Sequence, residues 1–215
     1  AIEEEIGPDE TDFNIQRLGL WLRYNQKSAI SEYEWGALKV KKLPTLKGKL
    51  YAGIKFGKDG TNVALSIAVK TLSNRIFVES IDCQNIRNGD YWIIDFLKKI
   101  DVERIVIDGA SRQEILSKEL KEEGLSNVIL PTVKEIIIAN SMWEEAIYSK
   151  TLCHMDQPSL TQVVTNCDKR PIGTSGGFGY KSQFEDMDIV LMDSALLAHW
   201  ICKEGKPQIK QKISY

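Results

Sequence analysis

The sequence predicts an α/β protein: a mixed sheet whose first three strands are antiparallel and whose later strands are parallel, flanked by helices. Three observations carry that prediction. Residues 50–69 (LYAGIKFGKDGTNVALSIAV) alternate apolar and other side chains on both sides of a GKDG turn. Leu50, Ala52, Ile54 and Phe56 lead in, and Val63, Leu65, Ile67 and Val69 lead out, as in a β-hairpin. Residues 102–108 (VERIVID) are a short β-branched run closed by an acid and followed by Gly109, Ala110 and Ser111, which reads as a buried strand ending in a loop. Around and after that strand the apolar spacing lengthens to that of helices, so strand and helix alternate through the second half.

The elements follow in order. Residues 1–12 are acidic, contain Gly7-Pro8, and read as a linker. Residues 13–24 (FNIQRLGLWLRY) have amphipathic helical spacing, and residues 28–35 add a short segment ending near Trp35. Trp21 and Trp35 are expected to pack this arm on the main domain; stacking on a nucleic-acid base is the minor alternative. Lys39, Lys41, Lys42, Lys47 and Lys49 make a basic connector, either solvated or a phosphate-contacting edge. A third strand is expected over 75–81 (RIFVESI) and a helix over 89–99 (GDYWIIDFLKK). After the 102–108 strand, Ser111-Arg112-Gln113-Glu114 reads as a capping box opening a helix to Glu123, stopped by Gly124. A short strand over 127–130, a helix over 132–151 and a helical or strand-like stretch over 160–165 come next. The Gly-rich stretch 168–183 (DKRPIGTSGGFGYKSQ) suits a β-hairpin, and 186–202 (DMDIVLMDSALLAHWIC) an apolar helix with acids at its start. The expected organisation is a lead-in arm over 1–49, one domain over 50–202 and a basic tail over 203–215. An antiparallel meander followed by βαβ units is the ribonuclease-H-like order.

Composition excludes several classes. The 215 residues are 43% hydrophobic, enough for one domain with a core that folds without staples. The net charge of −2 gives no general attraction to nucleic acid, although a local basic patch would suffice. The four cysteines, Cys83, Cys153, Cys167 and Cys202, form no CxxC and are expected as buried or free thiols in a reducing compartment. No run approaches a membrane span, and the acidic start carries no apolar signal region. The chain begins AIEEEIGPDE without methionine, as expected of a processed product or an excised piece of a longer protein. There is no GxxxxGK[ST] phosphate loop. A Cys–His–Asp protease pairing Cys153 or Cys167 with His199 lacks the local context of a nucleophile.

The acids carry the functional reading. Asp108 closes the buried strand, Asp188 and Asp193 lie at the start and first turns of the last helix, and Asp59 is in the hairpin turn. Converging carboxylates are what Mg²⁺ or Mn²⁺ needs for phosphodiester hydrolysis. Asp108 or Asp188 could instead cap a helix. Asp193 is harder to assign to structure alone, because it sits within an apolar helix, where an unpaired charge is costly.

Taken together these segments resemble the C-terminal nuclease domain of the large terminase subunit of tailed bacteriophages. The likeness rests on FNIQRLGLWL…EYEW, YAGIKFGKDGTNVAL, VERIVIDGA, LCHMDQPSLTQVVTN, FGYKS and MDIVLMDSALLAHW in that order. It implies a ribonuclease-H-like nuclease using Mg²⁺ or Mn²⁺, with two ions or one, that cuts concatemeric double-stranded DNA. It implies as partners an ATPase domain of the same subunit, the small terminase subunit and the capsid portal, in the host cell cytoplasm and without a membrane. Asp108 matches the family's second-strand acid, and Asp188 or Asp193 its last-helix acid. Lys181 and Arg170 are candidates for contacting the DNA backbone, or ordinary solvated surface.

One position departs from the family pattern. Lys55 stands where many members have a first-strand aspartate, and an ammonium cannot ligate a hard cation. Asp59 could supply the missing carboxylate, or Lys55 could take one metal's place electrostatically. A third outcome is a weakened or inactive domain that docks DNA or the portal. A recombinase or resolvase of the same fold is the remaining alternative.

Overall fold

The computed structural model describes residues 27–58, 60–109, 112–174 and 176–205. The expected helix over 13–24, Trp21, Asp59 and most of the basic tail therefore lie outside the described residues. A short helix, α1 (Glu32–Gly36), opens on a capping box between Ser31 and Glu34. The predicted meander follows as β1 (Leu46–Phe56), β2 (Asn62–Thr71) and β3 (Ile76–Asn85), with both pairings antiparallel. Then come α2 (Tyr91–Lys98), β4 (Val102–Asp108), α3 (Gln113–Glu122), β5 (Val128–Ile129), α4 (Val133–Tyr148) and β6 (Leu152–Cys153). The chain continues with α5 (Pro158–Val164), β7 (Cys167–Ile172), β8 (Gly177–Ser182) and α6 (Val190–Glu204).

Six strands form one sheet in the order β5-β4-β1-β2-β3-β6, and β7-β8 form the hairpin expected over 168–183, in a sheet of its own. β4 pairs parallel to β1, β5 to β4 and β6 to β3, so the sheet is mixed as the sequence predicts. Both faces are covered. Ala52, Ile54, Phe56, Val63, Leu65, Ile105 and Ile107 pack with Ile93 and Leu97 of α2 and Leu116 and Leu120 of α3. Tyr51, Ala68, Val78 and Val106 pack on the other side with α4 and α6. This double coverage is why β1 buries successive residues, Tyr51 to Ile54, where alternation alone predicts one buried face.

Small residues let α6 approach the sheet closely. A Cβ at Gly53 would lie 2.1 Å from the Ser194 carbonyl oxygen and 2.5 Å from the Ala198 nitrogen. Beside it, buried Ser66 of β2 bonds to Ser194 of α6 at 2.7 Å and to Ser80 of β3 at 3.1 Å. Helix and sheet thus meet through hydroxyls whose polar atoms satisfy one another.

The starts of two helices bear on the expected caps. α3 begins at Gln113 with Arg112 at its N-cap and no side-chain cap bond from Arg112, and Ser111 of the expected box lies outside the described residues. The Gln113 side-chain oxygen accepts from the Gly109 amide at 3.1 Å. α6 starts at Val190 with Ile189 at its N-cap, so Asp188 precedes the helix and is not its N-cap residue.

Trp35 is buried, in keeping with the packing role expected for it. Its ring stacks on His154 with centroids 3.9 Å apart, and its indole N–H donates to Thr161 Oγ1 at 3.1 Å. His154 Nδ1 accepts from the Asp156 amide, so its Nε2 carries the proton and donates to the Trp35 carbonyl. A buried indole has no face free for a base. All four cysteines are free thiols, three of them buried. No helix among the described residues is long and apolar enough to cross a membrane.

Candidate active site

Sheet register builds the site. Lys55 on β1 and Asp108 on β4 are direct partners across a parallel pair, and Gly53 and Val106 are partners two residues earlier. Gly53 and Val106 face α6, so Lys55 and Asp108 point to the same side by the period of two. Lys55 Nζ donates to Asp108 Oδ2, and the two side chains are 21% and 16% exposed. β4 ends at Asp108. Gly109 follows with φ +136°, and a Cβ there would fall 2.5 Å from Phe56 Cβ, so only glycine turns the chain here.

Asp193 enters from the first turn of α6. With Lys55, Asp108 and Arg170 it lines a cleft of about 130 Å³. Burial is the main cause that pushes the Asp193 carboxyl up to about 6; the nearby charges of Asp108 and Asp188 add to it, while Lys55 and Arg170 oppose it. Burial by itself would lower the Lys55 pKa, but the charges of Asp193 and Asp108 and the bond to Asp108 outweigh it and leave it raised. Lys55 is therefore an ammonium held between two acids.

Arg170 reaches the cleft from β7, its Nε donating to the Tyr180 carbonyl at 3.0 Å. The same hairpin sends Lys181 elsewhere: Lys181 is exposed, pairs in register with Asp168, and does not line the cleft. Asp188 is exposed and also outside the cleft lining, yet it is near enough to act on Asp193. Asp59 lies outside the described residues. The structure thus gathers Lys55, Asp108, Asp193 and Arg170 in the cleft lining, with Asp188 and Lys181 outside that lining and the charge of Asp188 still acting on Asp193.

Two cleft residues escaped the sequence reading. Asn140 of α4 and Tyr180 of β8 both line it and are buried. The Asn140 side-chain oxygen and the Tyr180 hydroxyl have no hydrogen-bond partner among the described protein atoms. The signal for Asn140 was available, since it falls on the apolar face of α4 with Ile136, Trp143 and Ile147. Val133, Ile136, Ile172, Leu196 and Leu197 supply the apolar wall.

The donor chemistry bears on the metal that the sequence resemblance implies. Among the described residues no group of three or more His, Cys, Asp or Glu is set to hold an ion. Asp108 and Asp193 remain as hard oxygen donors, with orphaned polar atoms of Asn140 and Tyr180 in the same lining. Asp108 and Asp193 are the residues that could hold a Mg²⁺-like cation, which keeps several waters and needs only one or two carboxylates, while Lys55 and Arg170 already balance their charge. The thiols offer no competing chemistry: burial pushes Cys167 up to about 12 and Cys202 up to about 12, so neither is a nucleophile near pH 7. Burial also lowers the His199 pKa to about 3, which removes it as a base partner in a protease.

No protein-family profile and no curated protein matches the chain. Solved structures do match. The large terminase of bacteriophage HK97 is 16% identical with a TM-score of 0.61, covering 80% of this chain and 43% of its own. The large terminase nuclease of thermophilic phage G20c, with bound magnesium, is 15% identical with a TM-score of 0.53, covering 80% of this chain and 97% of its own. A mutant nuclease domain of the large terminase subunit of bacterial virus Sf6, with manganese and β-thujaplicinol, is 12% identical with a TM-score of 0.52, covering 80% and 97%. The chain therefore has the ribonuclease-H-like fold of large-terminase nuclease domains, as the sequence resemblance implies. It spans under half the length of the HK97 protein.

Proposed function

We propose that this chain is the nuclease domain of a DNA-packaging terminase, hydrolysing phosphodiester bonds of double-stranded DNA with Mg²⁺ or Mn²⁺. The observation that carries the reading is the meeting of Asp108 and Asp193, from elements far apart in sequence, in one cleft with Arg170. Asp108 and Asp193 would hold the cation, with Asp188 and Asp59 as further candidates. A bound divalent cation supplies Lewis-acid stabilisation and an activated water at neutral pH.

The chain's own groups have separable tasks. Arg170 keeps its terminal guanidinium nitrogens for a phosphate oxygen while Nε anchors it to the Tyr180 carbonyl. Lys55 holds Asp108 in place from the neighbouring strand. The apolar wall from α4 and α6 thins the water around these charges and strengthens their action on a developing negative charge. Lys181, exposed and outside the cleft lining, would meet the duplex backbone away from the cleft. The partners that the sequence resemblance implies, an ATPase domain of the same subunit, the small terminase subunit and the capsid portal in the host cell cytoplasm, belong to the same proposal.

The test is conversion of supercoiled plasmid to nicked and linear forms in Mn²⁺ by the wild type, Asp108→Asn and Asp193→Asn. Cleavage that each variant lowers roughly a hundredfold or more supports the reading. Cleavage indifferent to both variants overturns it. The Lys55–Asp108 ion pair favours a second reading, a non-catalytic module that docks DNA or the portal. That reading predicts no cleavage by the wild type, together with retention of duplex DNA that Arg170→Ala weakens.

A further inference from the structure

We propose that the end of the main sheet opposite the cleft is a second binding surface, which takes the phosphate backbone of duplex DNA through Lys41, Lys42, Lys47 and Lys70. The inference rests on the nuclease reading for the identity of the polyanion.

The structure divides the basic connector seen in the sequence. Lys39 pairs with Asp156, and Lys49 with Asp101 at 3.3 Å and Glu103 at 3.5 Å. Lys41, Lys42 and Lys47 are exposed and form no ion pair among the described residues. β2 adds a fourth such lysine from outside the connector. Lys70, also exposed and without an ion pair among the described residues, is the direct partner of Lys47 across the antiparallel pair. Like charges set opposite each other weaken a sheet, so the fold gains nothing from this pairing. An anion laid across both lysines would relieve the repulsion.

Sheet order gathers these lysines away from the cleft. Lys47 precedes Lys55 by eight residues on β1, roughly 26 Å of strand at about 3.3 Å per residue. β2 runs antiparallel, so Lys70 at its end lies beside the start of β1. Val40 packs with Leu50, Val69 and Phe77 at the same end, and Lys41 and Lys42 follow it directly. α6 runs from Asp193 at the cleft toward Tyr51 of β1: a Cβ at Gly205 would lie 2.5 Å from the Tyr51 hydroxyl. The sequence continues from there with Lys206, Lys210 and Lys212. Lys39, Lys41, Lys42, Lys47, Lys49 and Lys70 thus meet only the carboxylates of Asp101, Glu103 and Asp156 in ion pairs, a local positive excess that the chain's net charge of −2 conceals. Exposed lysines are mobile point charges, suited to phosphates and not to base edges, so the contact positions a duplex without reading its sequence.

The experiment is binding of the whole chain to two labelled duplexes of about 30 bp and unrelated sequence, followed by fluorescence anisotropy through a salt titration in EDTA. One variant carries Lys41→Gln, Lys42→Gln, Lys47→Gln and Lys70→Gln. A control variant carries Lys99→Gln, Lys118→Gln, Lys121→Gln and Lys150→Gln, exposed positions elsewhere. The first variant should lower the slope of log affinity against log salt by roughly 3–4 on both duplexes, and the control by less than about 1. An unchanged slope in the first variant overturns the inference, as does an equal loss in the control. Capture of polyglutamate that the first variant loses, with its DNA slope unchanged, assigns the surface to an acidic protein segment and likewise overturns it. Should the fourfold variant fail to fold, Lys47→Gln with Lys70→Gln replaces it, with an expected loss of roughly 2 in slope and the same refuting outcome. The two readings fail differently. Asp108-dependent cleavage with an unchanged slope sinks this inference and leaves the nuclease; a shallower slope without any cleavage in Mn²⁺ does the reverse.

Discussion

The contact of α6 with β1 at Gly53 should govern both stability and the site. A methyl group placed there by Gly53→Ala would stand 2.1 Å from the Ser194 carbonyl oxygen, 2.5 Å from the Ala198 nitrogen and 3.1 Å from Leu197 Cβ. The first two obstacles are backbone, so no rotamer change relieves them. Ordinary contact needs about 3.5 Å, so α6 must retreat by roughly 1 Å. Overpacking of this kind costs about 1–3 kcal/mol, and rigid obstacles place it at the upper end. The same retreat stretches the 2.7 Å Ser66–Ser194 hydrogen bond between buried groups, worth about 1 kcal/mol more. The expected loss is therefore about 3–4 kcal/mol, read as a fall of roughly 1–2 M in the urea midpoint at unchanged slope. Asp193 precedes Ser194 on the displaced helix, so Mn²⁺ affinity should fall too when measured under conditions where the variant is fully folded. A destabilisation below about 1 kcal/mol would show that the helix is not seated as argued. Normal stability with lost metal binding would separate the packing argument from the site argument.

Other expectations follow from buried groups. His199 is buried, and both of its ring nitrogens lack a hydrogen-bond partner among the described protein atoms. Its folded pKa of about 3 lies below the ordinary 6.5, so the unfolded chain binds the extra proton first, and stability present above pH 6.5 is lost as the pH falls toward 3. The loss should reach on the order of 3 kcal/mol by pH 4, seen as a falling urea midpoint, and His199→Phe should flatten that decline; equal slopes in the two proteins would refute it. Trp35→Ala removes a buried ring stacked on His154 and should cost about 3–5 kcal/mol. It should also speed proteolysis of the segment that α1 anchors, whereas a loss under 1 kcal/mol would mean that this segment is not part of the core.

Local pattern made much of the architecture legible. Period-two alternation over residues 50–69 marked β1 and β2 because a strand presents alternate residues to opposite faces whatever surrounds it. The β-branched run before Asp108 marked β4, and helical spacing marked α2, α4 and α6. Boundaries were less legible: the helix expected from residue 111 begins at Gln113, whose side chain accepts from the Gly109 amide at the end of β4.

The site was legible as a set of acids but not as a place. Sequence left Asp188 and Asp193 equivalent. In the folded chain Asp193 lines the cleft and Asp188 lies outside its lining, because Gly53 and Ser66 seat the first turn of α6 beside the end of β4. Sequence likewise left Lys181 and Arg170 equivalent, until the hairpin's own pairing turned Arg170 into the cleft and Lys181 away. The meeting of Lys55 with Asp108 depends on register between strands separated by a whole βαβ segment. Composition and periodicity act over a few residues, and they settle which face of an element is apolar. Which polar side chains converge depends on how distant elements dock, and that is fixed by close contacts, such as the one at Gly53, that only the folded chain brings together.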